Sequence, residues 1–83
     1  MLDIRPYWDC LPVEAVMVTG DNRGELAVWL GPYGNLVSGK LSVKIGEYGW
    51  AEACDGDWIT KHRGHFNLFP PHLAWRLKPR LNS

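Results

Sequence analysis

Cys54, Asp57, His62 and His65 fall within twelve residues and have the types needed for nucleophilic catalysis or metal binding. A nucleophile, a base and an orienting group must converge in one pocket to act together. Here a turn signature, Asp55-Gly56, separates the cysteine from the histidines, so the cysteine reads first as a small core residue closing a strand. A zinc site needs paired ligands at close spacing. Cys54 has no neighbouring cysteine, and His62 and His65 straddle Gly64, which places their rings on different strands. Asp55 and Asp57 flank a glycine and read as turn chemistry before acid–base chemistry. No phosphate loop, dinucleotide fingerprint or metalloprotease motif occurs, and no cofactor is expected. These residues point away from an enzyme.

The chain must position whatever it uses with 83 residues, enough for one small core. It is read as a single domain, with residues 1–11 an extended lead-in and 12–79 the folded part. Hydrophobic residues make up 46% and charged residues 22%, an ordinary globular balance. The formal net charge is zero, yet residues 1–57 hold nine acids against four bases, while 58–83 hold five bases and no acid. Either strands of the two regions pair and neutralise each other, or the basic third binds an acidic partner. The first is the simpler account. No apolar run approaches the ~20 residues that span a bilayer, and the first residues lack an apolar leader core. An intracellular protein with two free thiols, Cys10 and Cys54, is expected.

Residues 12–19 are apolar on both alternating sets, which suits a central strand covered on both faces. Asn22 with Glu25 three residues on reads as a capping box opening a two-turn helix over 22–30. That helix turns Trp29 inward and stops at Gly31-Pro32. From there the period changes to two. Leu41, Val43 and Ile45 should be buried while Lys40, Ser42 and Lys44 face solvent. Residues 50–54, 57–62 and 65–69 follow as strands of a meander, separated by turns at Gly46 to Gly49, Asp55-Gly56 and Arg63-Gly64. Pro71 opens a single helical turn, and residues 75–78 form a closing strand. The predicted fold is a small β-rich α+β domain, an antiparallel meander or SH3-like half-barrel with one short helix packed on it.

Val13-Glu14-Ala15-Val16, Thr19-Gly20-Asp21-Asn22, Trp29-Leu30-Gly31, Gly56-Asp57-Trp58-Ile59, Gly64 with Phe66, and Pro71 are spaced in a telling way. Together they resemble a group of small bacteriophage and prophage proteins with the pattern VEAVQWTGDN, WLG, GDWIIKGxxGEFY and a late proline. The resemblance covers residues 12–79. It implies phage origin, and that group carries no defined activity. Two departures stand out: Phe69 lies where those proteins usually carry a cysteine, and His65 where they commonly have Glu.

Five tryptophans are the most unusual content. Trp29, Trp50 and Trp58 lie in patterned elements and are assigned to the core. Tyr7, Trp8, Tyr33 and Trp75, with Arg76 and Lys78, lie outside that patterning and have the composition of a protein-binding hot spot. Tyr48, in a turn, is grouped with neither. A second segment, His65-Phe66-Asn67-Leu68-Phe69, resembles the short peptide that docks on the bacterial replication sliding clamp, with His65 in place of Gln. The expectation is a non-catalytic phage accessory protein that binds and modulates a host protein in the host cytoplasm, with self-association left open. The rivals are a clamp mimic through residues 65–69 and a nucleic-acid binder using Lys61, Arg63, Arg76, Lys78 and Arg80 with Trp75.

Overall fold

A computed structural model describes residues 2–47 and 49–79; Tyr48 and Arg80 lie outside them. The described residues form eight short strands, one α-helix and two 3₁₀ helices. β1 (Arg5–Trp8) and β2 (Pro12–Met17) form the first hairpin, and α1 (Arg23–Leu30) follows. A 3₁₀ helix over Gly31–Tyr33 leads into β3 (Gly34–Val37), β4 (Lys40–Lys44) and β5 (Trp50–Ala53). Then come β6 (Trp58–His62), β7 (His65–Phe69), a second 3₁₀ helix over Pro71–Arg76 and β8 (Lys78–Pro79). The strands pair antiparallel in two sheets, ordered β7-β6-β2-β1-β8 and β3-β4-β5. This is the expected β-rich α+β domain. Its expected run of strands is divided: β3 to β5 form a local meander, whereas β6 and β7 join the other sheet beside β2.

β2 is central, and its two alternating sets go to two different cores. Val16 and Val18 join Leu26, Leu30, Leu41, Val43, Ala53, Ile59 and Phe66 in the main core between the sheets and the helix. Val13 and Ala15 face the other way, into a second cluster with Phe69 and Leu77. The strand is therefore covered on each face over only half its length. Glu14 and Met17 remain exposed.

β4 alternates as its sequence requires. Leu41 and Val43 are fully buried, Ile45 packs against the main core and Lys40 is exposed. β5 corrects one assignment. Its register sets Trp50 opposite Lys44 and Ala51 opposite Val43, so Trp50 shares the outer face with the lysine and is 52% exposed. Trp29 and Trp58 are half-buried against the two cores as expected.

The lead-in is also corrected. Residues 5–8 are a hydrogen-bonded strand between β2 and β8, with Tyr7 opposite Val13 and Pro79. Pro6 fits because it sits opposite Glu14 and contributes nothing to β8. The capping box is replaced by a different device. Asn22 does occupy the N-cap position, but its side chain turns back: Oδ1 accepts from the Thr19 N–H at 2.9 Å and Nδ2 donates to the Met17 carbonyl at 2.8 Å. Asn22 thus closes the loop after β2 rather than the helix end.

Gly24 lies within the helix with open space around its missing Cβ. Gly24→Ala should therefore raise stability by about 0.5–1 kcal/mol through helix propensity alone. A denaturant titration checks this, and a loss of stability would mean that the first turn of α1 is packed more closely than the structure shows.

Candidate functional site

Strand alternation and register divide the five-stranded sheet into two faces. Trp8, Glu14, Val16, Ile59, Lys61, Phe66 and Lys78 share the face toward the main core. Arg5, Tyr7, Val13, Met17, Trp58 and Phe69 share the opposite face, where Leu73 and Leu77 of the C-terminal segment cover the second cluster. The sequence-predicted binding residues are consequently not one patch. Tyr7 is half-buried edge-to-face against Trp58, with ring centroids 5.3 Å apart. Trp8 and Lys78 are cross-strand partners on the other face. Trp75 stands out from the second 3₁₀ helix at 68% exposure, and Arg76 lies over the Phe69 ring and 3.8 Å from the Asp9 carboxylate. Tyr33 is elsewhere, tilted against Phe66 beside the three-stranded sheet.

The clamp-like segment is not displayed as a docking peptide. Phe66 is buried in the main core and Phe69 in the second cluster, because residues three apart on a strand point to opposite faces. All five residues pair with β6, and only His65 and Asn67 are exposed.

The cationic residues are also dispersed. Lys61 sits opposite Glu14 with its Nζ 5.8 Å from the Trp29 ring and 5.7 Å from Phe66, while Arg63 occupies the tip of the β6–β7 hairpin. Opposed signs across β2 and β6 match the simpler account of the charge asymmetry.

Cys54 lies in the connection that precedes β6, whereas His62 ends that strand, roughly 13 Å along it from Trp58. Cys54 is exposed, not a core residue, and both cysteines are free thiols. Asp57 is committed to the turn: its Oδ2 accepts the Cys54 N–H at 2.8 Å, and its own N–H bonds the Cys54 carbonyl at 3.0 Å. His62 Nδ1 donates to the Pro12 carbonyl at 2.8 Å. Among the described residues, no three His, Cys, Asp or Glu side chains are grouped closely enough to hold a metal ion.

What the sequence reading missed is a cleft of about 520 Å³ on the Tyr7 face of the five-stranded sheet. Arg5, Tyr7, Met17 and Trp58 line it from the strands, and Asp3, Thr19, Asp21, Asn22 and Glu25 from the N-terminal segment and the start of α1. Among the described residues its one cation is Arg5, which donates to Asp3 at 2.9 Å, and that hydrogen bond holds the guanidinium above its ordinary pKa. The acids come from positions 3, 21 and 25, so no local motif announces them. The only sequence signal was the alternation of Leu2-Asp3-Ile4-Arg5.

No family model, no curated protein and no solved structure matches this chain. No helix among the described residues is long and apolar enough to cross a membrane.

Proposed function

We propose that the protein is a non-catalytic protein-binding domain: a phage accessory protein, as the sequence resemblance implies, that binds and modulates a host protein in the host cytoplasm. The observation that supports this reading is the display of tryptophan. Trp8, Trp50 and Trp75 are 45%, 52% and 68% exposed, in a domain with few large side chains to spare from its core. Tryptophan and arginine dominate the energetics of protein interfaces, tryptophan because it removes much apolar area from water while fixing few rotors, arginine because its planar fork donates several directed hydrogen bonds. Trp75 next to Arg76 has that composition.

The test is an affinity capture from bacterial host lysate, comparing the parent chain with Trp8→Ala and Trp75→Ala. At least one substitution should weaken capture by about 2 kcal/mol, roughly thirtyfold, while shifting the thermal midpoint by no more than a few degrees. A midpoint lowered by many degrees in both would make these tryptophans structural. Full capture by both variants would move the interface away from them. A mobility shift with random DNA at low salt that vanishes as salt rises would favour the nucleic-acid reading instead.

A further inference from the structure

Each sheet ends in two edge strands, whose outer N–H and carbonyl groups offer a template for a further strand. Three of the four edges are guarded. β8 is two residues long and ends in Pro79, α1 packs closely on β3 at Gly34, and Tyr33, Lys44 and Gly46 stand around the first two residues of β7. β5 has no such guard. Among the described residues it pairs with β4 alone, its register runs without a bulge from Trp50 to Ala53, and it contains no proline or lysine.

The phase of the ladder fixes which groups this edge presents. The Ile45 N–H bonds the Gly49 carbonyl at 2.9 Å, so 45 and 49 are a hydrogen-bonded pair. Such pairs alternate along antiparallel strands, which turns the backbones of Ala51 and Ala53 toward β4 and those of Trp50 and Glu52 outward. The Trp50 and Glu52 side chains stand on the outer face of the sheet, opposite Lys44 and Ser42.

We propose that β5 is a dimerisation edge, pairing antiparallel with β5 of a second copy to join two three-stranded sheets into one continuous sheet. A two-fold axis along the sheet normal must match outward residues with outward residues, which restricts the register to a centre at Trp50, Ala51 or Glu52. Centring on Glu52 sets two carboxylates face to face. Centring on Trp50 carries Glu52 and Ala53 past the start of the second strand. The centre at Ala51 is free of both faults: Trp50 of each copy meets Glu52 of the other, all the outward N–H and carbonyl groups of the two residues are paired, and two small alanines meet at the axis. Charge complementarity favours the same arrangement. Lys44, Trp50 and Glu52 of the second copy fall in one row, and the two charged side chains need span only about 10 Å across the indole. Symmetry supplies that row twice, which selects a second copy over an unrelated strand. This inference goes beyond the host-binding reading, whose test rests on Trp8 and Trp75, so either can fail alone.

The experiment is sedimentation equilibrium of the full chain, with amide hydrogen exchange followed by NMR on the same samples. So short an edge makes a small interface, and Kd should be roughly 0.1–1 mM. Between about 20 µM and about 1 mM protein, exchange at the Trp50 and Glu52 amides should slow by roughly two- to fivefold, following the loss of monomer, while Ala51 and Ala53 are unchanged. Glu52→Lys brings a cation to Lys44 of the second copy in both rows and should weaken dimerisation by about tenfold. Trp75→Ala should leave it as it is. A chain that stays monomeric throughout overturns the proposal and leaves the edge to solvent or to a strand of another protein. A dimer that forms without slowing Trp50 and Glu52, or that tolerates Glu52→Lys, overturns it equally, because the copies then meet elsewhere.

Discussion

Replacing Leu26 with alanine is expected to lower the unfolding free energy by about 3 kcal/mol, within the range for large-to-small substitutions at fully buried sites. Leu26 is wholly inaccessible and belongs to the main core, which joins Val16, Val18 and Ile59 of the five-stranded sheet to Leu41, Val43 and Ala53 of the three-stranded one. Truncation therefore leaves a void at the junction of three elements, none of which can collapse onto it without disturbing the others. A domain of this length has roughly 4–12 kcal/mol in total, so the loss is a large fraction. The thermal midpoint should fall by more than about 10 °C. Val28→Ala, two residues along the same helix and 82% exposed, serves as the control and should be nearly neutral. Similar midpoints for the two variants would mean that α1 does not seat Leu26 between the sheets.

Gly34→Ala should be nearly as damaging, for a steric reason. A Cβ at this position would lie 2.7 Å from the Leu30 Cβ, 3.0 Å from its Cδ1 and 3.4 Å from the Ala27 carbonyl oxygen. The backbone at Gly34 has φ −123°, which any residue adopts, so no dihedral penalty is involved. The obstacle is the root of a buried side chain and the helix backbone, neither of which can swing aside. The helix and β3 must separate by a few tenths of an ångström or more, costing about 1–3 kcal/mol. Adding Leu30→Ala should not rescue the variant, because alanine keeps the Cβ that makes the closest approach. Thermal unfolding of the single and double variants checks both statements, and a Gly34→Ala protein that melts with its parent would refute the close packing of α1 on β3.

Much of the architecture was legible from local pattern. Leu41, Val43 and Ile45 announced their buried face because alternation with Lys40, Ser42 and Lys44 is a property of the strand itself. Arg63 and Gly64 announced a hairpin turn, and both adopt positive φ, 50° and 80°, as the tight two-residue turn requires. Other features depend on register, which the sequence does not display. Trp50 has the character of a core residue, and only its pairing with Lys44 across the turn puts it outside. Residues 5–8 show no clean alternation, and they become a strand because β2 and β8 supply partners from distant parts of the chain. Asn22 stood at the right place for a cap, but Thr19 and Met17 compete for its side chain and win. The cleft was hidden for the same reason as β1: Asp3, Asp21 and Trp58 meet only when the sheet is assembled.

The division of strands between the sheets also bears on the order in which the chain acquires its structure. β3, β4 and β5 lie consecutively, joined by short connections, and the Ser38-Gly39 turn between the first two has φ of 52° and 77°. Closing such hairpins takes microseconds and sacrifices little chain entropy. The five-stranded sheet instead requires β6 to find β2, pairing Met17 with Trp58 across forty intervening residues that include all of α1 and the local meander. That search follows naturally once the meander and helix have drawn residues 18 and 57 together, since the Val18 N–H and carbonyl then bond the Asp57 carbonyl and the Gly56 N–H at 2.8 and 2.9 Å. By contact order, docking of the β6–β7 hairpin on β2 is expected to limit refolding, so that substitutions there slow refolding in stopped-flow measurements more than substitutions in the meander.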